Sequence, residues 1–240
     1  MSACVSIAIE TSCRRGGVAL GVGEELLEAA DFQADRRHAV QLVARMDELL
    51  RRHNLAPGDL DHVYVSAGPG SFTGLRVGLT VARTLTLALP TLKAVAVPTV
   101  RVVVENAAPL PGDRFAVIMD AKDETVYAAP FTRAAGRFLP AAPPELVTVR
   151  QFLAQTPRPV TLLGEGLGYH DLAGEGVTIA AESLWLPTAA AIWGVGRRLA
   201  AEGRFTPRAV LTPLYLRQPE AVRLWEQRHG QAHDTPDGPA

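Results

Sequence analysis

The chain has 240 residues, 48% of them hydrophobic and 20% charged, which is enough to close a sizeable core and unlike a disordered chain or a miniprotein held by disulfides or metal. Lys and Arg number 24 against 25 Asp and Glu, a formal net charge of -1, so no global field draws the chain to phosphate backbones or anionic membranes. Any nucleic-acid contact must be local or made by a partner.

No apolar run approaches the roughly 18 residues of a spanning helix, and no basic region precedes a signal-peptide core. Cys4 and Cys13 read as reduced thiols, Cys4 as a small core residue and Cys13 in a turn without an activating base. A cytoplasmic location is expected.

Three short strands open the chain, Cys4 to Ile9, Gly17 to Gly21 and Leu26 to Phe32, separated by turns. From Asp35 to His53, Ala39, Leu42, Val43, Met46, Leu49 and Leu50 recur at helical spacing with charged residues between them. Asn54-Leu-Ala-Pro-Gly-Asp breaks that helix, and a strand from His62 to Ala67 runs into Gly68-Pro-Gly-Ser. Ser71 suits the N-cap of a second helix, Phe72 to Leu89, stopped by Pro90, and a strand follows from Lys93 to Val97. An antiparallel meander followed by helical crossovers implies a mixed sheet carrying helices.

The second half repeats the theme with strands at Phe115 to Met119, Thr125 to Phe131 and Val160 to Leu163, and a Pro/Ala/Arg-rich stretch from Arg133 to Pro144. Pro187-Thr188 opens a last helix that ends near Gly203. After Leu211-Thr-Pro-Leu-Tyr-Leu-Arg the apolar pattern fades, and a disordered tail is predicted.

The segment Gly68-Pro-Gly-Ser-Phe-Thr-Gly-Leu-Arg-Val-Gly supports two readings. A Gly-rich turn opening a helix presents free N–H groups to an anion such as phosphate, although neither a Walker loop nor a dinucleotide fingerprint is present. Alternatively, Gly74 and Gly78 form a one-face stripe, each costing about 1 kcal/mol of helix propensity, that a tight helix–helix contact would offset. The contact is the preferred reading.

At the end of the first strand, Glu10, Thr11 and Ser12 could belong to a hairpin that coordinates nucleotide phosphates, or simply cap that hairpin through backbone hydrogen bonds. Arg14 and Arg15 occupy its turn. Among the six histidines only His229-Gly-Gln-Ala-His233 has metal-like spacing, and it lies in the predicted tail.

Ile9-Glu-Thr-Ser, His38, Asp61 with Val63 to Ser66, the Gly68 to Gly78 block, Met119-Asp-Ala with Val126-Tyr-Ala-Ala, Leu163-Gly-Glu-Gly and Pro213-Leu-Tyr-Leu-Arg together resemble the TsaB (YeaZ) family. The resemblance implies an α/β ASKHA (actin-like ATPase/RNase H-like) fold of two lobes, each a mixed β-sheet flanked by helices. The lobes are expected at residues 1–104 and 105–220, with a tail at 221–240. It implies a non-catalytic dimerisation subunit of the bacterial machinery for threonylcarbamoyladenosine in tRNA, one that binds and activates the catalytic paralogue TsaD, with the ATPase TsaE joining. The His-x-x-x-His metal motif of TsaD is absent from the body of the chain.

The residues expected at the partner interface are His38, Leu42, Met46, Leu49, Phe72, Gly74, Leu75 and Gly78, and the same surface would serve a homodimer when the chain is alone. Glu10, Thr11, Ser12, Gly68, Gly70 and Ser71 would be a vestigial nucleotide or phosphate site. No intrinsic cofactor, metal or catalytic residue is expected, ATP or ADP being left to the interface of the complex, and tRNA is reached only through the complex, with no membrane. The alternative is an ASKHA-type enzyme, a metallopeptidase-like protein of the M22 type or a small-molecule kinase.

Overall fold

A computed structural model describes residues 3–33, 38–215 and Trp225, with the side chains of residues 33 and 38–40 left out. The predicted tail, including His229 and His233, lies outside the described residues.

The first sheet is built from β1 (Val5–Glu10), β2 (Arg15–Val22), β3 (Glu25–Gln33), β4 (His62–Gly68) and β5 (Lys93–Pro98), in the order β3-β2-β1-β4-β5. The meander β1 to β3 is antiparallel, while β4 pairs parallel to β1 and β5 parallel to β4. Parallel pairing demands crossovers, supplied by α1 (His38–Arg52) before β4 and α2 (Phe72–Ala88) after it. Ser71 caps α2 as predicted, its hydroxyl accepting from the Gly74 N–H at 3.3 Å.

Strand alternation divides the burial. Ile7 and Ile9 share a core with Val63 and Val65, with Leu42, Met46 and Leu49 of α1 and with Leu75 and Leu79 of α2. Ala8, Ala19 and Tyr64 face the other way, against Ile192, Trp193 and Val195.

The second sheet repeats this topology. It comprises β6 (Arg114–Asp120), β7 (Thr125–Ala134), β8 (Arg137–Pro140), β9 (Glu145–Thr148), β10 (Val160–Leu163) and β11 (Val177–Ile179). The order is β11-β10-β6-β7-β8, with β9 also on β7. Again an antiparallel meander is followed by two parallel strands, β10 beside β6 and β11 beside β10. Residues 133–144, read from composition as a Pro/Ala/Arg-rich stretch, contain β8. The short helix α4 (Val149–Gln155), also not anticipated, starts at a capping box in which Thr148 and Gln151 satisfy each other's backbone N–H groups.

Helix α3 (Thr99–Val103) joins the sheets: Val102 enters the core beside Trp193, whereas Val100 and Val103 pack with Phe115 and Phe131. The last helix, α5 (Ala189–Ala201), begins at Thr188 as predicted but returns to the first sheet. Trp193 fills the space left by the missing Cβ of Gly21 and donates from Nε1 to the Ser6 hydroxyl at 2.9 Å. Leu211 is buried in the first core, and the Leu214 N–H donates to the Ala67 carbonyl at 2.7 Å. Residues 189–215, assigned from sequence to the second lobe, therefore pack on the first; sequence order alone did not show that the chain crosses back.

Candidate functional site

The end of β1 and the start of α2 meet where the sequence places most of its candidate residues. β1 carries Glu10, Thr11 and Ser12 out of the sheet, and all three are buried. One Glu10 oxygen, Oε1, accepts from the Ser12 N–H at 2.5 Å and from its hydroxyl at 2.6 Å, while Oε2 has no hydrogen-bond partner. Burial pushes the Glu10 carboxyl up to about 7, against the hydrogen bonds from Ser12 that lower it. The Thr11 N–H donates to Ser66 Oγ at 3.2 Å, and Thr11 Oγ1 is also without a partner.

The Gly-rich segment lies on this hairpin. The Ser71 N–H donates to the Ser12 carbonyl at 2.6 Å. A Cβ at Gly70 would collide with that same carbonyl oxygen, at Gly74 with the Thr11 carbonyl oxygen, and at Gly78 with Thr11 Oγ1, so the close approach requires glycine at all three. Gly74 and Gly78 are thus spent on an internal contact between helix and strand end. The helix–helix contact read from their spacing is not what they make, because the i,i+4 face they share points at β1.

The same contact bears on the phosphate reading of Gly68, Gly70 and Ser71. The Ser71 N–H and the Gly74 N–H are satisfied inside the chain, and what faces the helix start is a row of acceptors, the Thr11 and Ser12 carbonyls with the Glu10 carboxyl behind them. Acceptor oxygens repel a phosphate rather than bind it. Arg14 and Arg15 are exposed, and Arg15 stands 4.0 Å from Asp31.

Opposite this hairpin, at the end of the second sheet, Asp120 Oδ1 lies 2.9 Å from His170 Nε2 and accepts from the Lys122 N–H at 2.9 Å. Glu165 sits nearby, its carboxyl raised by burial and then by Asp120, with Arg14 acting the other way. The buried Cys13 thiol donates to the Arg15 carbonyl at 3.0 Å, and burial together with Glu10 pushes it up to about 12, so it is an inert thiol. Sequence reasoning missed the Asp120–His170 pair, because a separation of 50 residues leaves no local signal. Among the described residues no three His, Cys, Asp or Glu side chains converge as metal ligands.

The proposed interface residues divide. Leu42, Leu49 and Leu75 are fully buried, Met46, Gly74 and Gly78 are buried, and all belong to the chain's own interior. An apolar stripe at helical spacing marks a buried face without saying what buries it, and here the sheet does. His38 opens α1, and its side chain lies outside the described residues. Phe72 remains exposed, with Arg76 stacked 3.8 Å over its ring and the Tyr215 ring 5.0 Å away. Arg76 Nε–H also donates to the Tyr215 hydroxyl at 3.0 Å. Among the described residues, the large exposed apolar side chains of the two helices are Val43, Phe72 and Leu87, set among ion pairs such as Arg45–Glu48 at 2.8 Å and Arg51–Asp47 at 3.1 Å.

Comparison with known proteins gives a consistent picture. The family model described as "TsaD: tRNA N6-adenosine threonylcarbamoyltransferase" matches residues 32–221, most of the chain. The tRNA threonylcarbamoyladenosine biosynthesis protein TsaB of Bacillus subtilis is 27% identical over 227 residues, covering 91% of this chain and 96% of that protein. A tRNA N6-adenosine threonylcarbamoyltransferase of Anaeromyxobacter dehalogenans is 39% identical over 88 residues, 37% of this chain and 23% of that one. In structure, YeaZ of Pseudomonas aeruginosa superposes with a TM-score of 0.76 at 24% identity, covering 89% of this chain and all of that one. With the duplicated sheet topology, that likeness gives the two-lobed fold of YeaZ.

Proposed function

Because the chain belongs to the TsaD-type tRNA N6-adenosine threonylcarbamoyltransferase family, as a member of its TsaB (YeaZ) branch, we propose that it serves threonylcarbamoyladenosine synthesis in tRNA as a non-catalytic subunit. It binds and activates the catalytic paralogue TsaD, and TsaE joins the pair. The observation that supports the non-catalytic reading is the tight seat of the helix start on the chain's own backbone, where Thr11 and Ser12 present carbonyl oxygens to Gly74 and Gly70. A kinase reading would need that contact to open.

The partner contact runs over the outward faces of α1 and α2, with Val43 and Phe72 in it, and the buried faces hold those helices on the sheet. Rigid presentation lowers the ordering cost of association. The same surface serves a homodimer when TsaD is absent. Any ATP or ADP belongs to the interface of the complex, tRNA is modified only within that complex, and the machinery is cytoplasmic. Among the described residues no helix is long and apolar enough to cross a membrane.

Co-expression with TsaD and TsaE from the same organism tests this reading. The tagged chain should retain TsaD, reconstituted tRNA modification should require it, and the purified chain alone should neither turn over ATP nor hold stoichiometric metal. ATP turnover by the isolated chain, or full modification without it, would overturn the proposal.

A further inference from the structure

A groove of about 710 Å³ opens at the edge of the first lobe, where α2 ends and β5 begins, with residues 205–209 as its far wall. Arg83 of α2, Lys93 at the start of β5 and Arg208 bring three cations to it from three separate elements, and Leu92 and Pro207 also line it. No Asp or Glu lines it, and among the described residues none of the three cations has an ion-pair partner. Some arginines elsewhere on the surface are ion-paired, Arg52 with Glu28 at 2.9 Å and Arg197 with Glu24 at 2.8 Å. In a chain of net charge -1, a carboxylate-free groove with three unpaired cations is a local concentration of positive charge.

Charge dominates the groove. Thr86 Oγ1 donates to the Arg83 carbonyl at 3.0 Å, and Thr206 Oγ1 accepts from the Ala96 N–H at 3.0 Å. The Phe205 ring has Lys93 Nζ 4.9 Å from its centroid and the His62 ring at 5.0 Å. Three cations held by separate elements suit a ligand that repeats its negative charge along its length and is positioned rather than read.

We propose that this groove takes the phosphodiester backbone of an RNA strand. The inference rests on the reading that the chain serves a tRNA-modifying complex, the setting in which that polyanion is present. Three contacts give only a weak, salt-sensitive hold, so the groove orients RNA that the rest of the complex already retains.

The test is fluorescence anisotropy of a labelled, unmodified tRNA transcript with the full chain, alone and bound to TsaD, over a series of KCl concentrations. Neutralising all three positions (Arg83→Gln, Lys93→Gln, Arg208→Gln) should weaken binding tenfold or more at low salt. It should also flatten the slope of log K against log[KCl] by about 2–3, since each phosphate contact contributes roughly 0.7–0.9. The thermal midpoint should not move, and Arg137→Gln, removing a cation paired with Glu202, should leave RNA binding unchanged. An unchanged slope and affinity in the triple variant overturn the proposal. So does intact RNA binding with reduced TsaD capture, which would assign the groove to an acidic protein segment. If the parent chain fails to capture TsaD at all, the subunit reading falls instead, and the chain-alone titration still reports on the groove.

Discussion

The carbonyl oxygen of Thr11 stands where a Cβ on Gly74 would have to be, and the hydroxyl of the same threonine stands against Gly78. One strand-end residue thereby accounts for two helix glycines, and the two contacts differ in kind, backbone at one and side chain at the other.

That difference is measurable. Gly74→Ala and Gly78→Ala each gain about 1 kcal/mol of helix propensity, so on propensity alone both would stabilise. Overpacking reverses the sign, and each variant should lose roughly 1–3 kcal/mol in urea unfolding. Adding Thr11→Ala should relieve Gly78→Ala, whose remaining neighbours, Ile9 Cγ2 at 3.4 Å and Thr11 Cβ at 3.5 Å, are ordinary contacts. It should not relieve Gly74→Ala, which meets backbone. Equal rescue of both would contradict this packing.

Glu10 should make folding stability depend on pH. Its carboxyl is raised from 4.5 to about 7 on folding, so the folded state holds the proton more tightly. The stabilising contribution is complete below about pH 4.5 and is lost as pH rises through 7. Glu10→Gln removes the titration. From pH 5 to pH 8 the parent should lose about 2–3 kcal/mol more than the variant, at about 1.4 kcal/mol per pKa unit. Parallel pH profiles of unfolding free energy would show that Glu10 does not titrate in this window.

Arg133 should be a stability residue of the second lobe. Its guanidinium donates to the carbonyls of Ala108 at 3.1 Å, Leu110 at 2.5 Å and Gly112, and lies 5.0 Å from the Phe115 ring centroid. A planar fork reaches several carbonyls at once and an ammonium does not. Arg133→Lys should therefore cost roughly 1–3 kcal/mol despite keeping the charge. Unfolding at the parent's urea midpoint would mean that the turn at residues 107–112 holds itself.

Two neighbouring positions on α1 should separate folding from association. Leu42 is fully buried and Val43 is 54% exposed. Leu42→Asp should fail to fold, a buried charge in a core being beyond what a marginally stable domain tolerates. Val43→Asp should keep its melting temperature and bind TsaD about tenfold or more weakly, about 1.4 kcal/mol or more of binding free energy. Undiminished capture of TsaD by the Val43 variant would move the contact off this face.

Local chemistry carried much of this protein into view. The alternation of β1, the 3.6-residue period of α1, Ser71 as a cap, Pro187-Thr188 as a helix start and the meander-then-crossover order all depend on neighbours within a few residues, and they reappear as β1, α1, α2 and α5. The TsaB resemblance was legible for the same reason, since its motifs are short and contiguous. What the glycines and leucines touch was decided only by tertiary structure. Periodicity shows that Leu42, Met46, Gly74 and Gly78 share a buried face, but the covering surface is β1 and its turn, brought there by parallel pairing with β4 across more than fifty residues. The return of α5 to the first sheet, the Asp120–His170 pair and the meeting of Arg83, Lys93 and Arg208 are likewise products of long-range closure. No local preference encodes them, because each member's own segment would fold the same way without the other.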